Sequence, residues 1–165
     1  MNKRKWTIFL LCLLSLACNK SDTAVVPESL LEAPVITGYK LIDINGQAAG
    51  AVGRPNGKAE ASKDSETYRL RIFPIPALNF VGVSLQFPKE GLEKKVWIKQ
   101  GRLEDKALDQ YKLGMYNPEA GTTIFQRTTT EDFLNIDASS FSPGYYRLYV
   151  SSDDLELYEN IVIQK

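Results

Sequence analysis

The chain has 165 residues, and its 20 Lys and Arg are balanced by 20 Asp and Glu. A length of this order suits one domain, and a chain without net charge offers no basic surplus to draw nucleic-acid phosphates. It contains no His and only two Cys, which removes Ser–His and Cys–His nucleophiles, His-ligated zinc and a histidine base working near neutral pH.

The N-terminus carries Lys3, Arg4 and Lys5 and then runs through apolar residues from Trp6 to Ala17. A charged head on a short apolar stretch is the pattern of a secretory signal peptide and falls short of a membrane span. In LSLACNKSD, residues 14–22, the small Ala17 precedes Cys18 and polar residues follow it. This resembles the lipobox of bacterial lipoproteins, although Ser15 stands where that motif usually has Leu. The resemblance implies removal of residues 1–17, acyl chains on Cys18 and the membrane as a partner. Asn19 behind the cysteine, in place of Asp, implies the outer membrane. Cys12 then leaves with the signal and Cys18 is occupied, so the folded part is expected to have no disulfide.

Residues 18–34 read as a lipidated tether, polar and punctuated by Pro27 and Pro34. Within it Asp22-Thr23-Ala24 resembles a short bacterial O-glycosylation signal, which makes Thr23 a candidate acceptor. From Val35 onward the pattern is of strands. VITGYKLIDIN alternates and ends at Asn45-Gly46, a dipeptide preferred in tight hairpin turns. QAAGAVG reads as a returning strand, RPNGK as a turn, and AEASKDSE (59–66) as an exposed loop. TYRLRIF places Tyr68, Leu70 and Ile72 on one face and Arg69 and Arg71 on the other. FVGVSLQF turns Val81, Val83, Leu85 and Phe87 inward.

LEKKVWIKQ offers Val96 and Ile98 to one face and Lys95, Trp97 and Lys99 to the other. RLEDKALDQYKL carries a helical turn or two before Tyr116-Asn117-Pro118. TTIFQRTTT, DFLNID, GYYRLYV and LYENIVI are four further strands. Short strands between Gly, Pro and Asn turns, with no long amphipathic helix, predict an all-β fold. Residues 35–165 are expected to form one antiparallel β-sandwich of immunoglobulin-like type.

Two stretches carry a second resemblance: YRLRIFPIPALNFVGVSLQF (68–87) and LNIDASSFSPGYYRLYVSSDDLELYENIVIQK (134–165). With VWIKQG between them, residues 68–165 are similar to the C-terminal sorting domain of type IX secretion cargo. Phe73-Pro74-Ile75-Pro76-Ala77 stands for that family's Tyr-Pro-Asn-Pro-Ala, with Ile75 in place of Asn. Ser142-Pro143-Gly144-Tyr145-Tyr146 stands for its later Pro-x-Gly segment. The resemblance implies a sandwich domain, in a chain similar to small envelope lipoproteins. It also leaves open recognition by the secretion machinery. Independently, two prolines one residue apart fix φ and remove donors, so they belong on an edge or at a crossing between sheets.

Candidate sites are few. Asp43-Ile44-Asn45-Gly46 begins like a calcium loop but lacks the later acidic ligands, so a hairpin turn accounts for it. Ser151-Ser152-Asp153-Asp154, with Glu156, is either a hard-cation site or a polar turn between strands. Glu131, Asp132 and Asp137 are the carboxylates a glycan-acting enzyme would need, but nothing pairs them in sequence. The expectation is therefore no catalytic residue, no metal and no cofactor. In GYYRLYV, Tyr146, Leu148 and Val150 face the core, which leaves Tyr145, Arg147 and Tyr149 on the other face beside Trp97. Tyr, Trp and Arg favour recognition, so these four residues form the candidate ligand-binding stripe, for an envelope protein or a glycan. Packing of that face under residues 102–121 is the alternative.

Overall fold

The structure is a computed structural model that describes residues 32–114, 120–153 and 155–165. The signal segment, Cys18, Thr23, Tyr116-Asn117-Pro118 and Asp154 lie outside these residues. The described chain is nearly all β. Its strands are β1 (Val35–Ile36), β2 (Gly38–Ile42), β3 (Ala48–Gly53), β4 (Glu60–Lys63), β5 (Glu66–Phe73) and β6 (Phe80–Gln86). They continue as β7 (Lys94–Gln100), β8 (Arg102–Leu103), β9 (Thr123–Thr129), β10 (Phe133–Asp137), β11 (Gly144–Ser152) and β12 (Leu155–Ile163), with one 3-10 turn at Lys106–Leu108. The helical reading of 102–113 reduces to that turn, because the segment's few apolar residues serve a packing role described below.

Two four-stranded antiparallel sheets, ordered β10-β6-β5-β4 and β12-β11-β7-β9, pack against each other in a sandwich-like arrangement. Alternation builds the interface. β5 and β6 contribute Leu70, Ile72, Val81, Val83 and Leu85, and Leu134 and Ile136 extend the face into β10. Opposite them lie Val96, Ile98, Leu148, Val150, Leu157 and Ile161, all buried in one core. At about 25 cal/mol per Å2 of apolar surface removed from water, this layer is the main source of stability.

Local chemistry sets the turns. The Asp43 carboxylate accepts from the backbone N–H groups of Asn45 and Gln47 at 2.9 and 2.7 Å, and Gly46 takes φ 78°. That closes the β2–β3 hairpin by the expected route and occupies Asp43 without calcium. Residues 60–63, read from sequence as loop, instead form β4. It is an edge strand with no buried residue, so it has no apolar face to give an alternation signal. Asp64 and Ser65, both at positive φ, turn the chain into β5.

The Pro-x-Pro segment does cross between sheets. Ile75 exchanges both backbone bonds with Ile42 at 2.8 and 2.9 Å, and Ala77 donates to Val162 O at 2.8 Å. The peptide bonds before Pro74 and Pro76 are cis. Truncating the centre of the sandwich tests this packing. Leu148→Ala is expected to lower unfolding free energy by about 2–4 kcal/mol in urea denaturation, and a loss below about 1 would contradict it.

Candidate functional site

The stripe proposed from sequence is not a surface. Trp97 is 2%, Tyr145 3%, Tyr149 3% and Arg147 8% exposed. The register does bring them together on the face of β7–β11–β12 turned away from the core: Tyr149 lies opposite Trp97 and Tyr158, and Arg147 opposite Lys99 and Asn160. Trp97 and Tyr149 stack with ring centres 5.1 Å apart at 5°. The expectation of exposure fails because that face is roofed.

The roof is held by polar bonds. Arg147 donates through Nη2 to Val35 O and Asn56 Oδ1, both at 2.9 Å, and through Nε to Asn160 Oδ1 at 2.8 Å. Its guanidinium also lies 4.9 Å from the Tyr158 ring centre. Asn160 donates to Gly38 O at 2.7 Å and Asn56 Oδ1 at 2.8 Å. Lys99, itself buried, donates to Glu32 O at 2.7 Å, and burial draws its ammonium below the usual lysine range. The β1–β3 region and the Lys106–Leu108 turn thus close over the sheet. The Tyr145 ring lies 5.7 Å from that of Tyr39, tilted by 41°, and its hydroxyl donates to Asp109 at 2.7 Å. In such a place Tyr145 and Arg147 act as hydrogen-bonding groups, and Trp97 and Tyr149 pack against each other.

The carboxylates named from sequence are not assembled into a pair. Glu131 accepts from Arg127 at 3.2 Å, Asp132 from the fully buried Lys94 at 2.7 Å, and Asp137 from the Ser139 backbone at 2.9 Å. The Asp153 turn joins β11 to β12 with φ 51°, and the Ser152 hydroxyl beside it donates to Glu93 O. Among the described residues no three His, Cys, Asp or Glu side chains are placed to hold a metal ion.

The surface left open is the outer face of β10-β6-β5-β4. Its cross-strand rows follow from the register: Glu60–Arg69–Gln86, then Arg71–Ser84–Phe133, then Phe73–Gly82–Asn135. Phe133 is 53% exposed and lies 6.2 Å from the Phe73 ring. Gly82 forms the floor between them, since a Cβ there would sit 3.0 Å from the Phe73 ring. Neighbouring rings and cations on one face are within reach of a single ligand.

Beside this platform runs a groove of about 720 Å3, lined by Lys40, Lys58, Glu60, Arg69 and Arg71. It meets a second of about 260 Å3, lined by Arg71, Ser84, Gln86 and Asp132. Each acid in the area has its own base. Glu60 pairs with Arg69 at 3.2 Å, Asp132 with Lys94, and the buried Glu159 with Lys40. Arg71 and Lys58 have no side-chain partner among the described residues. The alternation of TYRLRIF marks Arg69 and Arg71 as outward. Lys40 and Lys58 come from distant segments, and no local pattern ties them to the site. Comparison with protein families finds no model that matches this chain, and comparison with curated proteins finds no match.

The roofed tyrosines predict an alkaline transition. Burial, with a contribution from the neighbouring Tyr111, raises the Tyr39 phenol to about 12. Burial and the bond to Asp109 raise Tyr145 as well. An unfolded phenol titrates near 10. The stabilisation from keeping Tyr39 neutral is thus intact below about pH 10 and is lost as pH rises through its folded value. Melting temperature measured from pH 8 to 12 should begin to fall near pH 10, with Tyr39→Phe flattening the fall. A flat profile in the native chain would contradict it.

Proposed function

We propose that this chain is a lipid-anchored envelope protein, held at the outer membrane through Cys18, whose immunoglobulin-like sandwich is a non-enzymatic binding module. The observation that carries the binding assignment is the open face of β10-β6-β5-β4. There exposed Phe133 and partly exposed Phe73 stand in the rows of Arg71, Ser84 and Asn135 beside a cation-lined groove. Adjacent rings on an open face, rimmed by polar and charged groups, are the composition of an interaction surface.

The reading of a module rather than an enzyme is supported by chemistry. The sequence contains no histidine, and the three carboxylates considered for acid–base work each hold a local partner. A nucleophile would have no base beside it. The anchor rests on the sequence pattern around Cys18. Two or three acyl chains, each methylene contributing about 0.8 kcal/mol on burial, make such attachment effectively permanent.

Two measurements test the parts separately. Cys18→Ser should move the protein from the membrane fraction to the soluble fraction, and unchanged membrane association would remove the anchor from the account. Photo-crosslinking side chains placed at Ser84 and Phe133 should form adducts in intact cells. The same groups at Lys89 and Glu90, on the loop after β6, should form few. Equal labelling at both places would contradict the assignment of the open face.

A further inference from the structure

We infer that the open face takes an acidic glycan: a sugar chain whose carboxylate or sulfate groups sit in the Lys58–Arg71 groove while its rings lie on Phe133 and Phe73. The inference deepens the binding reading and rests on the open face being the binding surface.

The charge pattern selects the ligand's sign. The whole chain has no net charge, yet five bases gather at this groove and its margin, and among the described residues three acids answer them. Lys40, Arg69 and Lys94 are taken by Glu159, Glu60 and Asp132. Lys58 and Arg71 remain, in a concavity whose low-dielectric walls concentrate their field. Arg71 lies where the two grooves meet, so an anion there is reached from either side. Arginine binds a planar carboxylate or a sulfate through two N–H groups at once.

The arrangement of apolar groups selects a sugar. Arg71, Ser84 and Phe133 form one row across three adjacent strands. With strands about 4.8 Å apart, the cation and the exposed ring are about 10 Å from each other. A pyranose unit on Phe133 therefore puts the charged group of a neighbouring unit near Arg71. Aromatic rings with an open face stack on the C–H face of sugars, and Ser84, Gln86 and Asn135 supply hydroxyl and amide partners along the same surface.

Other polyanions fit less well. A peptide added as a strand would use a sheet edge, whereas Arg71, Ser84 and Phe133 lie on the face of the two central strands and their neighbour β10. A nucleic acid needs a run of phosphate contacts, and two unpaired cations are too few. A bilayer is flat, and the groove is concave.

The test is titration calorimetry on the full chain in detergent. The probes are oligogalacturonate, its carboxyl-reduced neutral counterpart, and a sulfated oligosaccharide of equal length. At least one acidic oligomer should bind at least about tenfold more tightly than the neutral one, and rising salt should weaken it. Arg71→Gln and Lys58→Gln should each weaken it about tenfold at unchanged melting temperature, as expected for loss of a charge-assisted contact. Phe133→Ala should weaken the acidic and the neutral oligomer alike.

The inference is overturned if no acidic oligomer binds, if the neutral one binds equally, or if binding survives both charge changes. Failure here with labelling retained at Ser84 and Phe133 removes the ligand class and leaves the binding face. Failure of both removes the binding face as well.

Discussion

The structure depends on one buried cation. Arg147 lies in the middle of β11, and its guanidinium is spent on Val35 O, Asn56 and Asn160. Among the described residues no carboxylate pairs with it. A buried charge without its hydrogen bonds is strongly destabilising, since each bond to a charged group is worth about 1.5–3 kcal/mol. These partners come from β1, from the segment after β3 and from β12, so the bonds can all form only when the N-terminal part of the domain folds over the sheet. The Arg147–Asn160–Asn56 network thus specifies cover over the second face of β11 and β12.

That constraint assigns the surfaces. With one face of β11 and β12 in the core and the other under the β1–β3 region, the broad solvent-facing surface described above belongs to the partner sheet. Gly82 leaves room beside the Phe73 ring, and the acids at the groove, Glu60, Asp132 and Glu159, are each answered by a base. Lys94 contributes from beneath: wholly buried, it donates to Thr130 O, Glu131 O and Asp132, which fixes the entry to β10 and neutralises the acid that lines the smaller groove with Arg71. The groove owes its surplus charge to this pairing, because free carboxylates there would cancel Arg71 and Lys58.

Much of this was legible in the residues. Alternation locates β5, β6, β7, β10, β11 and β12 and gives the inward side of β5, β6, β7 and β11 as the structure has it, and Asn45-Gly46 and the two prolines announce a turn and a crossing. Alternation identifies two faces of a strand but is silent on whether the second is covered. Tyr145, Arg147, Tyr149 and Trp97 thus belong together on one face, and of its two readings, a binding stripe or packing beneath residues 102–121, the structure has packing, with the β1–β3 region added to the cover. One signal pointed to packing: GYYRLYV is large and mostly apolar at nearly every position, as strands buried on both faces are. β4 escaped because an edge strand has no apolar face. The groove escaped because Lys40 and Lys58 reach Arg69 and Arg71 only through tertiary folding.

The central claim is that the Trp97–Tyr149 face is interior, and Trp97 reports on it directly. The chain has two tryptophans, Trp6 and Trp97, so in a Trp6→Phe variant all indole fluorescence comes from Trp97. Acrylamide quenching of the folded protein should be several-fold weaker than after unfolding in guanidinium, with blue-shifted emission. A native quenching constant equal to that of the unfolded chain would mean that the stripe lies open to solvent, contrary to a roof held by Arg147.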